Sequence, residues 1–136
     1  MPEYHLDTSL DQDRWNILDS FTQGYIEAMF FTECNPDDPE LESATFADLS
    51  KTALLNIVAV CSDFQTRNAF LLDAATNNDH YDMNRAGNDF WYTRNHHGCG
   101  YWDRGLDKTG EMLTHIAHAY GECDLYMGDD EMLYVS

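Results

Sequence analysis

The sequence predicts an α+β fold of order α-α-β-β-α-β-β, in which two hairpins form a four-stranded antiparallel sheet packed against helices. Two long segments, residues 13–32 and 45–76, space their apolar residues as helices do. Two later segments, 87–104 and 124–135, contain β-prone runs separated by turn residues. A chain of 136 residues with 43% hydrophobic content can bury a core of its own, so residues 1–136 are predicted to form a single domain.

The first helix is expected at about residues 13–32, because its apolar side chains cover a wide arc of the helical wheel. These apolar residues are Trp15, Ile17, Leu18, Phe21, Tyr25, Ile26, Met29 and Phe30. Asp11 or Asp13 is a candidate N-cap. Residues 1–12 are polar and acidic and are predicted to be loosely ordered.

The second helical segment begins at Thr45 or Ser50, both of which are suitable N-caps. It extends to about Thr76 without Gly or Pro, so the pattern fits either one long helix or two helices broken near Arg67 and Asn68. Asn68 lies on the apolar face, where a buried amide with an internal hydrogen bond is expected.

The segment 87–104 is predicted to form the first of the two hairpins. Two β-prone runs, 90–94 and 101–104, flank a tight Asn/His/Gly turn, which is typical of a β-hairpin. After it, a short helix is expected to end at Tyr120, followed by the second hairpin.

Charge is the most unusual feature of the composition. The chain has 25 Asp and Glu against 7 Lys and Arg, a formal net charge of −18. Direct binding of nucleic acid is disfavoured, because phosphate contacts need clustered Lys and Arg. The acidic surface is either a general solubilising feature or a surface that competes with nucleic acid for basic proteins. The residues assigned to that partner-binding surface are Asp37, Asp38, Glu40, Asp129, Asp130 and Glu131.

The stretch between residues 85 and 108 differs from the rest, because it contains more basic than acidic residues. On a hairpin, its rings and guanidinium groups would suit a planar, anionic, nucleotide-like ligand. The alternative is structural: Trp91 and Trp102 in the core, with Arg94 and Arg104 paired to aspartates 89 and 103. The residues predicted to bind the ligand are Asp89, Trp91, Arg94, His97, Trp102 and Arg104.

The histidines and cysteines have the ligand types of a zinc site without its spacing, so no metal and no cofactor are predicted. No nucleophile elbow, phosphate-binding loop or zinc-protease motif is present, so no catalytic residue is assigned. An enzyme acting on nucleotides with His97 as acid or base is the least favoured interpretation.

The four cysteines form no C-x-x-C pair, and the N-terminal residues lack the basic and apolar regions of a signal peptide. The most apolar run, residues 53–61, is too short to span a bilayer. A cytosolic protein with reduced thiols and no membrane association is expected.

Residues 87–104 read G-N-D-F-W-Y-T-R-N-H-H-G-C-G-Y-W-D-R. This stretch resembles a family of small acidic proteins encoded by bacteriophages and related mobile elements, whose pattern is G-H-D-F-W-L-T-R-N-G-H-G-A-G-F-W-D-R. The acidic N-terminal helix and the terminal D-L-Y and G-D-D motifs are also similar to that family. The departures from the pattern include Asn88, His96 and Cys99, where the family has His, Gly and Ala.

The resemblance implies a phage accessory protein that works in the host cytoplasm. Together with the charge, it leads to the main hypothesis: a counter-defence or host-takeover inhibitor that binds a host nucleic-acid-handling protein through an acidic surface mimicking DNA. The alternative is a binder, or sponge, of a nucleotide-like small molecule through residues 87–104. The sequence leaves the oligomeric state open.

Overall fold

A computed structural model describes residues 6–34, 37–77 and 79–136. Within these residues the protein is mostly helical, and its β-structure is one two-stranded sheet, so the predicted α+β fold with a four-stranded sheet is wrong. The helices are α1 (Gln12–Asn16), α2 (Ser20–Glu33), α3 (Lys51–Arg67), α4 (Ala69–Thr76), α5 (Met83–Arg94) and α6 (Asp107–Ala119), and the strands are β1 (Leu125–Met127) and β2 (Leu133–Val135).

The first helical segment is divided in two rather than continuous. Asp19 starts α2 by accepting a hydrogen bond from the backbone N–H of Thr22 at 2.8 Å, whereas Asp11 precedes α1 without a side-chain cap. The wide apolar face expected for this segment is confirmed in α2, which buries residues on most of its circumference. In the predicted loose segment 1–12, a short 3-10 helix occupies Ser9–Asp11, and residues 1–5 lie outside the described part of the chain.

The second segment follows the two-helix alternative. Ser50 caps α3 by accepting from the backbone N–H of Ala53 at 3.1 Å, and Thr45 begins the short 3-10 helix Phe46–Asp48. Asn68 separates α3 from α4, and its side-chain amide donates to the carbonyl of Phe64 at 2.8 Å. The predicted hydrogen-bonded buried amide is therefore confirmed.

The predicted hairpin at residues 87–104 is wrong. Its first half belongs to helix α5, which Asp82 caps by accepting from the backbone N–H of Arg85, and its second half contains the 3-10 helix Tyr101–Asp103. The buried residues Ala86, Phe90 and Thr93 follow the i, i+4, i+7 spacing of a helix face. Packing of this face against the core overrides the β-propensity of the aromatic and β-branched residues.

Helices α2 and α5 pack with their backbones in close contact. A Cβ atom on Gly24 would lie 2.0 Å from the carbonyl oxygen of Asn84, and one on Gly87 would lie 1.9 Å from the carbonyl oxygen of Phe21. Glycine is therefore required at both positions, because a backbone carbonyl cannot move aside as a flexible side chain can. Around this contact the rings of Phe64 and Phe90 stack with centroids 4.1 Å apart.

The C-terminal region agrees with the sequence-based prediction. Helix α6 is followed by Gly121 at a φ of 77°, a left-handed conformation that glycine adopts readily at a helix end. Strands β1 and β2 pair antiparallel, which confirms the second hairpin. Leu133 also bridges Leu49, and the backbone N–H of Ser50 donates to the carbonyl of Leu133 at 2.9 Å, so the hairpin is held at the start of α3.

The α2–α5 contact makes the first testable prediction. Gly87→Ala should destabilise the protein by about 1–3 kcal/mol or more, because the new methyl group must push the two helix backbones apart. Urea denaturation followed by circular dichroism would measure the change in the free energy of unfolding.

Gly98→Ala is the matched control, since a Cβ at Gly98 meets no atom within 4 Å. It should change stability by less than about 0.5 kcal/mol. Equal stability of Gly87→Ala and Gly98→Ala would contradict the close packing of α2 on α5.

Candidate functional site

Two of the predicted ligand-binding residues, Trp91 and Arg94, lie inside the protein. Trp91 is fully buried and donates from its indole N–H to the hydroxyl of Thr32 at 2.8 Å. Its ring meets that of Tyr25 edge to face, with centroids 5.4 Å apart. As the structural alternative expected for this residue, Trp91 is part of the core.

Arg94 is only 8% exposed and joins three parts of the structure. Its guanidinium donates to the carbonyls of Tyr120 and Gly121, at 3.1 and 2.8 Å, and to the hydroxyl of Tyr25 at 3.1 Å. A cation at the carbonyl end of α6 interacts favourably with the helix dipole. Arg94 therefore fastens the end of α6 to α5 and α2, rather than pairing with an aspartate.

Asp89, on α5, forms a partly buried ion pair with Arg104. The Nε and Nη2 atoms of Arg104 donate to the Asp89 carboxylate at distances down to 2.8 Å, and the hydroxyl of Tyr81 donates to it at 2.6 Å. The Asp89 side chain is 1% exposed and that of Arg104 is 34% exposed. The hydrogen bond to Asp89 raises the pKa of Arg104, and burial together with the Asp89 charge raises the pKa of Tyr81. The cluster thus contains the hydrogen-bonded carboxylate of Asp89, the charged guanidinium of Arg104 and the protonated phenol of Tyr81.

A cleft of about 290 Å³ opens beside this ion pair. Its floor is one face of α5, because four of its residues follow the i, i+3, i+4, i+7 spacing of a helix. The lining residues are His80, Tyr81, Arg85, Asn88, Asp89, Tyr92 and Arg104. Asp89 and Arg104 are the two predicted ligand-binding residues that the structure brings to this cleft.

The other two predicted residues, His97 and Trp102, lie on the segment that follows α5. His97 is half-buried, with its ring edge-on to that of Tyr92 at 5.9 Å between centroids, and burial lowers the pKa of its imidazole. Trp102 is 45% exposed and lies across Gly100, where an added Cβ would come within 2.3 Å of the indole ring. The six residues therefore occupy the core, the cleft and the following loop rather than one surface.

The residues assigned to the acidic surface lie on the loop after α2 and on the turn between β1 and β2. All are exposed except Asp38, which is half-buried. Burial and, after it, the charges of Asp124 and Asp38 raise the pKa of Glu33 at the end of α2. Negative groups from two segments that are distant in sequence therefore act on one carboxyl. We use the name acidic end for residues 33–34, 37–48 and 122–131.

The thiol of Cys34 is affected by neighbouring carboxylates as well. Burial raises the pKa of its thiol to about 12, with further contributions from Glu33, Asp38 and Asp48. The hairpin is connected to the residue after Asp48, because Leu133 of β2 bridges Leu49. The acidic end is thus a spatial feature, assembled from parts of the chain far apart in sequence.

Most basic side chains are engaged within the fold and do not offset the acidic residues at a distance. Arg14, Arg67 and Arg104 each form an ion pair with an aspartate, and Arg94 is buried. In the described parts of the chain, no group of three or more His, Cys, Asp or Glu residues is arranged to hold a metal ion.

No known family model matches the chain, and no curated protein or solved structure was found to be similar to it. Membership of the phage family therefore stays a prediction. Among the described residues, no helix combines the length and the apolar character needed to cross a bilayer.

Sequence reasoning missed Arg85, Asn88 and Tyr92 in the cleft, although their spacing carried a usable signal. Together with Asp89 they occupy the i, i+3, i+4 and i+7 positions of one helix face. In a strand, residues three positions apart such as Asp89 and Tyr92 lie on opposite faces. Recognising α5 as a helix would have brought these residues together.

The Asp89–Arg104 pair gives the second prediction. Arg104→Ala should lower the free energy of unfolding by about 1–3 kcal/mol, because Asp89 stays buried without its cation. Chemical denaturation would measure the loss. The exposed pair between Asp63 and Arg67 supplies the control, since Arg67→Ala should cost clearly less stability than Arg104→Ala. Comparable losses of unfolding free energy in Arg104→Ala and Arg67→Ala would show that Arg104 does not stabilise the buried carboxylate of Asp89.

Glu33 gives the third prediction. A carboxyl whose folded pKa is raised costs stability above its unfolded pKa, near 4.5, and costs nothing below it, where both states are protonated. Glu33→Gln should therefore stabilise the protein at pH 7, and the gain should disappear at about pH 3. Glu111→Gln removes the same charge from an exposed position on α6 and should stabilise the protein less. A Glu33→Gln variant no more stable than Glu111→Gln at pH 7 would contradict the repulsion at the acidic end.

Proposed function

We propose that the chain is a phage accessory protein, acting in the host cytoplasm, that inhibits a host nucleic-acid-handling protein through the acidic end. The supporting observation is that, after burial, the charges of Asp124, just before β1, and Asp38, on the loop after α2, raise the pKa of Glu33. Such a protein would serve as a counter-defence or host-takeover factor, as the resemblance of residues 87–104 implies.

The physical basis of the proposal is competition with DNA. A protein of net charge −18 repels nucleic acid and attracts the basic grooves that bind it. DNA presents closely spaced negative charges, so a dense group of carboxylates can occupy the same groove. Complementary charge accelerates such an association and makes it sensitive to salt.

The hairpin adds aromatic side chains to these charges. The ring of Tyr126 stacks on that of Tyr134 with centroids 6.0 Å apart, and the hydroxyl of Tyr134 donates to Asp130 at 2.5 Å. Tyr126 is half exposed. A tyrosine ring beside carboxylates suits an arginine of the partner, which can stack on the ring and pair with the acid.

The alternative function is binding of a nucleotide-like molecule through residues 87–104. The six residues predicted to bind that ligand do not form one open surface. Trp91 and Arg94 are internal, so they offer no open stacking face. The observation that favours this alternative is the cleft beside Asp89 and Arg104.

Neutralising the acidic end tests the main proposal. A variant with Asp37, Asp38, Asp129 and Asp130 all changed to Asn should bind the host partner at least about tenfold more weakly, a loss of about 1.4 kcal/mol. Partners would be retained on the immobilised protein from a bacterial lysate at low salt, identified, purified and assayed by equilibrium binding with and without competing duplex DNA.

The control variant removes four exposed acidic charges elsewhere. Its substitutions are Asp73→Asn, Asp79→Asn, Asp103→Asn and Glu111→Gln. It should bind nearly as well as the unmodified protein. The proposal fails if duplex DNA does not displace the partner, or if both variants lose affinity equally.

A further inference from the structure

We propose that the cleft beside α5 is a binding site for a small oxyanion, a phosphate or carboxylate group, held by Arg85 and Arg104. This inference does not rest on the proposed function, because the cleft and the acidic end are built from different residues. It concerns the stretch of the chain with more basic than acidic residues.

The charge of the cleft favours an anion even though it contains a carboxylate. Asp89 is 1% exposed and accepts hydrogen bonds from both Arg104 and Tyr81, so its charge is neutralised where it stands. Among the residues that line the cleft, the charge of Arg85 then remains without a carboxylate to balance it. In a protein of net charge −18, two arginines lining one cleft form an unusual local environment.

Hydrogen-bond donors are also available to a ligand. A guanidinium carries five N–H donors, and Arg104 directs its Nε and Nη2 atoms to Asp89 and also has a side-chain hydrogen bond with Cys99. Arg85 donates from Nη1 to the carbonyl of His80, which orients its side chain along the rim of the cleft. Two guanidiniums in fixed positions can each present N–H pairs to the oxygens of a phosphate or carboxylate.

The size and walls of the cleft restrict the ligand further. Its volume of about 290 Å³ is at the lower end of small-molecule sites, so it suits a compact anion. Tyr92 contributes a half-buried ring to the wall, and burial raises the pKa of its hydroxyl, which therefore stays protonated. The wall thus adds an apolar surface and no further negative charge.

The test is a titration of the ¹⁵N-labelled full chain followed by NMR, with inorganic phosphate in one arm and citrate in the other. Ionic strength is held constant with sodium chloride. We expect saturable shifts in the amides of residues 80–92 and 99–104 in at least one arm. Saturation in both arms would assign a general oxyanion site, and saturation in one arm would identify the preferred group.

Arg85→Gln should weaken this binding at least tenfold, because it removes one guanidinium without disturbing the Asp89–Arg104 pair. Lys108→Gln removes one positive charge from an exposed position outside the cleft and should leave the affinity unchanged. Absence of saturable shifts in both arms, or equal binding by Arg85→Gln, would overturn the proposal. The variant with Asp37, Asp38, Asp129 and Asp130 changed to Asn should still bind the anion. Loss of anion binding is therefore distinct from failure of the proposed function.

Discussion

The backbone contact between α2 and α5 determines where the candidate site residues of α5 lie. Gly24 and Gly87 bring the two helices so close that a single methyl group would collide with a carbonyl of the partner helix. This contact fixes the rotation of α5 about its axis. One face then turns Phe90 and Trp91 into the core, while the face carrying Arg85 and Tyr92 remains at the surface.

The polar residues of α5 hold the rest of the motif in place from this fixed position. Asp89 binds Arg104 and so positions the 3-10 turn at 101–103, while Arg94 binds the carbonyl end of α6. Both arginines therefore act first as structural connectors. Arg104 keeps a partly exposed guanidinium, and this exposure makes it available for a second role in the cleft.

The sequence predicted helices well where local signals were unambiguous. Ser50 and Asn68 marked the start of α3 and its break from α4, and the turn at 128–130 marked the hairpin. The sequence-based prediction failed at α5. Aromatic and β-branched residues locally favour a strand, and here they form a helix because they pack against α2. The cleft was missed for the same reason. Its α5 residues lie on one face only when the chain is helical, and the alternation of a strand would separate them.

The acidic end depends on a different kind of information, which local sequence does not carry. Asp124 and Asp38 add to the effect of burial in raising the pKa of Glu33, although they are far apart in sequence, and Leu133 of the same C-terminal hairpin bridges Leu49 just before α3. Four arginines are meanwhile engaged inside the fold or in pairs with aspartates. The fold thus uses its few cations for its own stability and leaves the carboxylates of one end facing outward. A surface arranged in this way repels itself, and a basic partner would relieve that repulsion on binding.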